Sequence, residues 1–253
     1  MSWSARQYSR FEDERTRPAR DLVAAIPRDT AAVAVDLGCG PGNSTEVLAA
    51  RYPMASVLGI DSSEDMVAAA RARLPHLSFE VGDIADWRAD GAMDVVLANA
   101  SLQWLPDHAT LYPHLVAQLA VGGCLAVQTP DNLAEPPHQV ARALASSPRW
   151  AGRIGQVRHP ERHAAAWYYA LLEPLCARVD VWRTTYHHPL PDHVAVVEWF
   201  KGSALRPWLA PLDAAEREVF LAQYLDGIAK ALPALADGTV LLPFPRLFVV
   251  AQK

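Results

Sequence analysis

The stretch VAVDLGCGPGNST, from Val33 to Thr45, joins a short apolar segment, an acidic residue and a glycine-rich turn. The apolar segment predicts a buried strand over Ala32–Asp36, since apolar runs of this length are typical of parallel sheets. The glycines let the backbone pass close to a ligand, and the proline among them stiffens the turn. A helix is expected over Ser44–Arg51, and the N–H groups at its start can bind a carboxylate. The stretch therefore predicts a strand, turn and helix that together hold a ligand.

Short apolar runs alternate with helical stretches through the first half of the chain, which is typical of βαβ units and a parallel sheet. Further strands are expected over Ser56–Asp61, Leu77–Val81, Met93–Asn99 and Cys124–Gln128. The run Met93–Asn99 is almost wholly apolar, which predicts a central strand. A helix is expected from Ser62 or Ser63 to Arg73, and another over Asp107–Leu119 that stops at Gly122-Gly123.

The second half of the chain has a different pattern, because prolines interrupt it after Thr129. Strand character returns over Val179–Tyr186 and Leu247–Ala251, and the segment between them predicts several helices rich in aromatic residues. We expect a single domain over 1–253, made of an N-terminal helical lid (1–30), a cofactor-binding core (31–130), an insertion (131–175) and late strands (176–253) with a helical cap (189–238).

Acidic residues follow three strands in succession. Asp36 precedes the glycine turn, Asp61 ends the second strand 19 residues after Gly42, and Gly82-Asp83-Ile84 follows the third. A carboxylate in the second position can accept both ribose hydroxyls, and the carboxyl edge of a parallel sheet is where such folds bind ligands. The candidate cofactor-binding residues are Asp36, Gly38, Gly40, Gly42, Asp61, Ser62, Asp83, Ile84 and Asn99.

The main alternative for this site is a nicotinamide dinucleotide. Its fingerprint G-x-G-x-x-G requires a third glycine at the contact between helix and strand, whereas this chain has G-x-G-x-G and Asn43 at that position. The acid at Asp36 also suits a cofactor with an amino group, which a pyrophosphate lacks. These features favour S-adenosylmethionine.

Composition excludes several other classes of protein. Hydrophobic residues make up 51% and charged residues 20% of the 253 residues, which indicates a globular chain. The net charge of −5 provides no general attraction for nucleic acid or an anionic membrane. The chain has neither a signal-peptide pattern nor an apolar run of about 18 residues, so we expect a cytoplasmic protein.

The sequence gives little support for a metal site or a disulfide. The three cysteines are far apart and form no CxxC pair, which fits a reducing compartment. His159 and His163 have a spacing that suits a metal on a helix, but no third ligand stands out. We expect no bound metal.

Several motifs resemble the trans-aconitate 2-methyltransferase family. They are NASLQWLPDH (Asn99–His108), YPHL (Tyr112–Leu115), LAVQTPDN (Leu125–Asn132), VDVWRTTYHH (Val179–His188), LRPWL (Leu205–Leu209), FPRLFVV (Phe244–Val250) and the N-terminal segment from Tyr8 to Arg17. The resemblance spans nearly the whole chain. It implies a Rossmann-like class I methyltransferase, an α/β fold with a mostly parallel seven-stranded sheet, helices on both faces and a helical cap.

The resemblance further implies S-adenosylmethionine-dependent methylation of a carboxylate of trans-aconitate, which yields the monomethyl ester and S-adenosylhomocysteine. A carboxylate is ionised at neutral pH because its pKa lies near ~4, so we expect no general base and name no catalytic residue. Guanidinium groups suit the carboxylates of a small polycarboxylate. The candidate substrate-binding residues are Gln103, Trp104, Arg17, Arg183, Arg206 and Arg246.

Two choices stay open at this point. Alternation along a strand places Trp182 and Arg183 on opposite faces, so only one of them is expected to face a ligand. Arg246 lies in an apolar segment, and it is the best single candidate for a substrate contact. The alternatives to the proposed activity are a methyltransferase acting on another carboxylate or an O- or N-nucleophile, and a non-catalytic S-adenosylmethionine-binding protein. Sequence leaves the oligomeric state undetermined.

Overall fold

The stretch that begins at Val33 forms a strand, a glycine turn and a helix, as its pattern predicts. The computed structural model describes residues 12–154, 157, 162–202 and 204–253, with side chains described from Thr16 onward. The strands are β1 (Val33–Leu37), β2 (Ser56–Asp61), β3 (Ser78–Val81), β4 (Met93–Asn99), β5 (Leu119–Pro130), β6 (Arg178–Leu190) and β7 (Val240–Gln252). The helices are α1 (Glu12–Ala24), α2 (Asn43–Arg51), α3 (Glu64–Arg73), α4 (His108–Ala117), α5 (Pro136–Ala145), α6 (Ala151–Ile154), α7 (Ala165–Leu172), α8 (His193–Lys201), α9 (Arg206–Leu209) and α10 (Ala214–Ala231).

The strands form one seven-stranded sheet in the order β3-β2-β1-β4-β5-β7-β6. The pairs among β1 to β5 are parallel. β7 runs antiparallel to β5, as two hydrogen bonds show. Gly122 N donates to Lys253 O, and Asp131 N donates to Pro245 O. The strand order reverses between β1 and β4, and open α/β sheets bind ligands at such a switch point.

The central strand is β4, as its apolar run predicts. Its residues Val95 to Ala98 are each 0% exposed, and β4 occupies the middle position of the sheet. The hydrophobic core beside it includes Val35, Leu125 and Val249 from neighbouring strands. Full burial of each large aliphatic side chain contributes about 1.5–3 kcal/mol, so this core holds the strand ends of the sheet in place.

The prediction for the segment around Gly122-Gly123 is wrong. The helix predicted over Asp107–Leu119 ends at Ala117, and both glycines lie inside β5. Gly122 has a positive φ of 74°, and a Cβ on Gly123 would lie 2.6 Å from Met93 O. These glycines therefore permit an irregular start of the strand, where its register with β4 shifts, and do not end the helix.

Contacts divide the chain into two compact units. One contains the described parts of Met1–Pro130, Pro160–Thr184 and Leu247–Lys253; the other contains those of Asp131–His159 and Thr185–Arg246. The predicted domain boundaries stay a prediction. No helix in the described ranges is long and apolar enough to cross a bilayer.

Local sequence explains the helices of the second unit. The prolines at the start of α5 stand where a helix needs no backbone N–H donor. In α10, Asp213 and Glu216 form a capping box. The two helices are joined by a hydrogen bond from Tyr224 Oη to Pro137 O at 3.1 Å.

Candidate functional site

A cavity of about 250 Å³ lies in the first unit, at the carboxyl ends of β1, β2, β3 and β4. Its position matches the switch point of the sheet. The predicted site residues that line it are Gly38, Gly40, Asp61, Ser62, Asp83, Ile84, Asn99 and Trp104. The structure thus brings together residues from four separate loops that sequence spacing assigned to one site.

Asp61 at the end of β2 is fixed by backbone hydrogen bonds. Its Oδ2 accepts from Gly40 N at 2.9 Å, and its Oδ1 accepts from Ser63 N at 2.9 Å. A carboxylate offers about four acceptor positions, so both oxygens keep capacity for ligand hydroxyls. Asp61 therefore joins the glycine turn to the start of α3 and presents a ribose-sized acceptor pair to the cavity.

Asp83 lies at the next strand end along the sheet edge. Its Oδ1 accepts from Ala85 N at 2.9 Å, which fixes the loop that also carries Ile84. Both residues line the cavity. An acid beside a backbone N–H can read the amino group and a ring nitrogen of an adenine edge.

Asp36 does not line the cavity, and neither does Gly42. The Asp36 side chain is 0% exposed, and its Oδ2 accepts from Ser44 Oγ and Thr45 Oγ1, each at 2.7 Å. Its Oδ1 is buried and accepts no hydrogen bond from the described residues. Burial raises the pKa of Asp36 to about 6; the two hydroxyls oppose that rise, and Asp61 adds to it. The carboxylate of Asp36 is therefore separated from the cavity by Ser44, which lines the cavity and donates a hydrogen bond to that carboxylate.

Gly38 and Gly40 in the glycine turn lack side chains for two different reasons. A Cβ on Gly38 would lie 2.2 Å from Ser101 Cβ, so the turn passes directly against the loop after β4. A Cβ on Gly40 would meet no atom within 4 Å, although Gly40 lines the cavity. The absent Gly40 side chain leaves open space beside the cavity, as a cradle for a ligand requires.

The loop after β4 carries a strained residue. Ala100 lines the cavity with a φ of 54°, in the left-handed region that alanine rarely adopts. Ser101 Oγ donates to Leu37 O at 2.7 Å and ties this loop to β1. Gln103 is 3% exposed, does not line the cavity and donates from Nε2 to Ala100 O at 2.6 Å. Trp104 is 48% exposed and lines the cavity.

Several residues of the cavity were not predicted from sequence. They are Thr16, Ala19, Cys39, Pro41, Asn43, Ser44, Met66, Ala100, Ser101 and Leu105. Thr16 and Ala19 come from α1, and Asn43 Nδ2 donates to Thr16 Oγ1 at 3.4 Å. The predicted Arg17 belongs to the same helix but is exposed and does not line the cavity. The motif from Tyr8 to Phe11 lies outside the described residues.

Among the described residues, the charged side chains that line the cavity are acidic. Asp61 and Asp83 line the cavity, and none of the Arg, Lys or His side chains described by the structure does so. Burial raises the pKa of the Cys39 thiol well above its usual range, and the carboxylates of Asp36 and Asp61 raise it further, so the thiol stays protonated. The acidic lining of this cavity suits a cationic adenosine derivative.

The remaining arginines lie elsewhere. Arg183 is exposed on β6, on the face opposite the half-buried Trp182, as the strand alternation predicts. Arg206 is half-buried in α9. Arg246 is 4% exposed on β7, with its guanidinium carbon 4.8 Å from the centroid of the Phe244 ring. Of the histidine pair, His163 stacks on a tryptophan ring in the first unit, and His159 lies outside the described residues.

Comparisons with known proteins agree with the fold. A family model described as a methyltransferase domain matches residues 34–123. The solved structure of YcgJ from Bacillus subtilis is 12% identical, with a TM-score of 0.61 over 94% of this chain and 98% of that one. Coclaurine N-methyltransferase, solved with S-adenosylhomocysteine, is 13% identical, with a TM-score of 0.55 over 96% of this chain and 72% of that one. The protein is a class I, S-adenosylmethionine-dependent methyltransferase with a Rossmann-like fold.

Full-length relatives narrow this class. The trans-aconitate 2-methyltransferase of Methylobacterium radiotolerans is 52% identical over 99% of this chain and 98% of its own. That of Rhizobium meliloti is 51% identical over 100% of this chain and 99% of its own. The chain belongs to the trans-aconitate 2-methyltransferase family.

Proposed function

We propose that the protein methylates one carboxylate of trans-aconitate and forms its monomethyl ester and S-adenosylhomocysteine. The observation that carries this proposal is the 52% identity to a trans-aconitate 2-methyltransferase over 99% of the chain. The match extends far beyond the methyltransferase domain at residues 34–123 and includes the second unit. Substrate selection is the function most readily assigned to those additional segments.

The cavity fits the cofactor. Asp61 would hold the ribose hydroxyls, Asp83 and the Ile84 N–H the adenine edge, and the N–H groups at the start of α2 the carboxylate. Ser44 donates its hydroxyl proton to Asp36, so its lone pairs are available to the cofactor ammonium group. When bound, S-adenosylmethionine supplies a methyl group activated by a cationic sulfonium.

The residues of this chain then need only to hold and align the second reactant. A carboxylate is already ionised at neutral pH, so no side chain has to remove a proton. Trp104 and Leu105 line the cavity and would exclude water, which strengthens the interactions between the charged reactants. Alignment of an acceptor oxygen with a methyl group accounts for several kcal/mol of barrier lowering, about 7–11 in favourable cases.

The substrate carboxylates require cationic partners, and the candidates are Arg17, Arg183, Arg206 and Arg246. Arg246 has the strongest support because its guanidinium is almost fully buried and is flanked by an aromatic ring. A guanidinium is suited to a bidentate carboxylate contact, and lysine cannot replace that geometry. Gln103 would act indirectly, through the loop that it stabilises at Ala100.

A direct assay tests this proposal. The protein is incubated with S-adenosylmethionine and trans-aconitate, and mass spectrometry follows a mass gain of one CH₂ unit. We expect methyl ester with trans-aconitate and much less with tricarballylate, which lacks the double bond. Turnover of a different acid while trans-aconitate stays inert would contradict the choice of substrate. Cofactor binding without turnover of any acid would contradict the enzymatic activity.

A pair of arginine variants tests the substrate contact. Arg246→Lys is expected to raise the KM for trans-aconitate roughly tenfold or more, since it loses a bidentate contact, while the cofactor Kd changes little. Arg149→Lys is the matched control, because Arg149 also lies over an aromatic ring in the second unit but is exposed. Equal KM values for the two variants would remove Arg246 from the substrate site.

A further inference from the structure

The loop after β4 needs external support for its conformation. It places Ala100, Ser101, Trp104 and Leu105 along the cavity. Ala100 has a left-handed backbone, and such a conformation persists only where surrounding contacts over-determine it. Within the loop, Leu102–Trp104 form one turn of 3₁₀ helix, in which Leu102 O accepts from Leu105 N at 3.0 Å.

His108 supports this turn from behind. It is 3% exposed at the first position of α4, and its Nε2 lies 2.9 Å from Leu102 O. A carbonyl oxygen can only accept, so Nε2 carries a proton and donates it to Leu102. Burial lowers the pKa of His108 and favours the neutral ring. In a neutral ring protonated at Nε2, Nδ1 must be an acceptor.

Tyr168 supplies the donor that this tautomer requires. Its hydroxyl lies 2.7 Å from His108 Nδ1, and its side chain is 2% exposed on α7. Its hydroxyl therefore donates its proton to His108, and its ring packs against Tyr112, with the two ring centroids 5.0 Å apart. The buried chain of donors therefore runs in one direction, from Tyr168 through His108 to the Leu102 carbonyl.

This chain of hydrogen bonds does not touch the cavity, but it ends on the turn that does. We propose that His108, with its tautomer fixed by Tyr168, is a positioning residue for methyl transfer. It holds the 3₁₀ turn so that Trp104 closes the cavity over the reacting groups. The inference rests on the proposed methyl transfer for its kinetic consequences and on the geometry alone for its structural ones.

Removal of the Tyr168 hydroxyl group tests this series of hydrogen bonds with almost no change in packing. Tyr168→Phe is expected to lower kcat roughly tenfold, the effect of losing one hydrogen bond that orients the reaction, with the cofactor Kd within about threefold of wild type. Tyr169→Phe is the matched control, because it removes a hydroxyl from the next residue of α7, which is 49% exposed. Equal kcat values for the two variants would overturn the proposal.

Two substitutions of His108 separate positioning from packing. His108→Gln keeps an N–H that can reach Leu102 O but loses the ring, whereas His108→Phe keeps a ring but loses the donor. Positioning predicts that the Gln variant retains more kcat than the Phe variant. A purely structural ring, which packs 5.3 Å from the Tyr112 centroid, predicts the opposite order and would refute the proposal.

A measurement independent of catalysis distinguishes this inference from the proposed function. The indole N–H signal of Trp104 is identified in a ¹⁵N spectrum by its loss in Trp104→Phe. In Tyr168→Phe we expect this signal to shift and broaden, while Tyr169→Phe leaves it unchanged. That result would support the positioning role even if trans-aconitate were not the substrate, and an unchanged signal in Tyr168→Phe would refute it.

Discussion

Replacement of Asp36 by Asn removes a buried negative charge while keeping the size of the side chain. Burial raises the pKa of Asp36 from 3.8 to about 6, although Ser44 and Thr45 donate hydrogen bonds to it. At ~1.4 kcal/mol per pKa unit, that rise corresponds to about 3 kcal/mol between the two protonation states. The ionised side chain therefore destabilises the cofactor-free fold by about this amount.

The direction of the pH dependence follows from the proton count. The folded state binds more protons than the unfolded state between pH 3.8 and about 6, so the free energy of unfolding falls as pH rises through this window. The stabilisation is fully present below the lower value and is lost as pH rises through the upper one. The Asn variant has no proton to lose at this position, and its curve lacks this fall.

Urea unfolding of the cofactor-free proteins measures the effect. Between about pH 4 and about pH 8, we expect the stability of the wild type relative to Asp36→Asn to decrease by about 2–3 kcal/mol. Titration of all other groups is common to both proteins and cancels in the difference, as does any constant penalty for burying the amide. The control is Asp86→Asn, which makes the same substitution at an exposed carboxylate and leaves the buried one in place.

Parallel curves for Asp36→Asn and wild type would refute this reasoning, because they would show that Asp36 ionises in the fold as it does in the unfolded chain. A second readout follows from the proposed cofactor site. The charge of Asp36 attracts a cation, so wild-type affinity for S-adenosylmethionine should fall as pH decreases through about 6, the pKa of this group. The Asn variant should bind weakly, without that pH dependence.

Three further predictions concern the cavity and the second unit. Gly38→Ala should lower the free energy of unfolding by about 2 kcal/mol or more in urea titrations, because its Cβ would lie 2.2 Å from Ser101 Cβ. Gly40→Ala, also at positive φ but facing open space, should lower it by only about 1 kcal/mol, and equal losses would contradict the steric reason. Asp61→Asn should weaken S-adenosylmethionine binding roughly tenfold or more in calorimetry, since one oxygen that accepts a backbone N–H becomes an amide donor; an unchanged Kd would exclude it from the site. Asp213→Ala should lower stability by about 1 kcal/mol through loss of the capping box, visible as a reduced Tm with kcat unchanged, and an unchanged Tm would show that the cap contributes nothing.

Sequence predicts the first half of this fold well, because local pattern and tertiary position agree there. The strands that end at Asp61, Val81 and Asn99 end where the polar and glycine residues predict. The prediction fails at Gly122-Gly123, since a glycine pair that ends a helix and one that permits an irregular strand have the same local sequence. Only the pairing with β4 decides between them, and that contact is not local.

Site residues can be predicted from sequence where an acidic residue stands at or just after the end of a strand. Asp61 and Asp83 meet at the cavity because parallel strands present their carboxyl ends to one edge. Thr16 and Ala19 could not be found in this way, since α1 reaches the cavity through tertiary packing and does not follow a strand of the sheet. The orientation of the Asp36 side chain was equally hidden, because only the hydroxyls of Ser44 and Thr45 show which way its carboxylate points.

The carboxylates of Asp61 and Asp83 in the cavity affect which cellular metabolites could compete with the cofactor. Adenosine is also the recognition element of ATP and related phosphorylated metabolites, which carry several negative charges. A phosphate chain placed in this cavity would face carboxylates, with no cationic side chain from the described lining to neutralise it. Like charges repel, so these carboxylates disfavour abundant nucleotides relative to a cationic adenosine derivative.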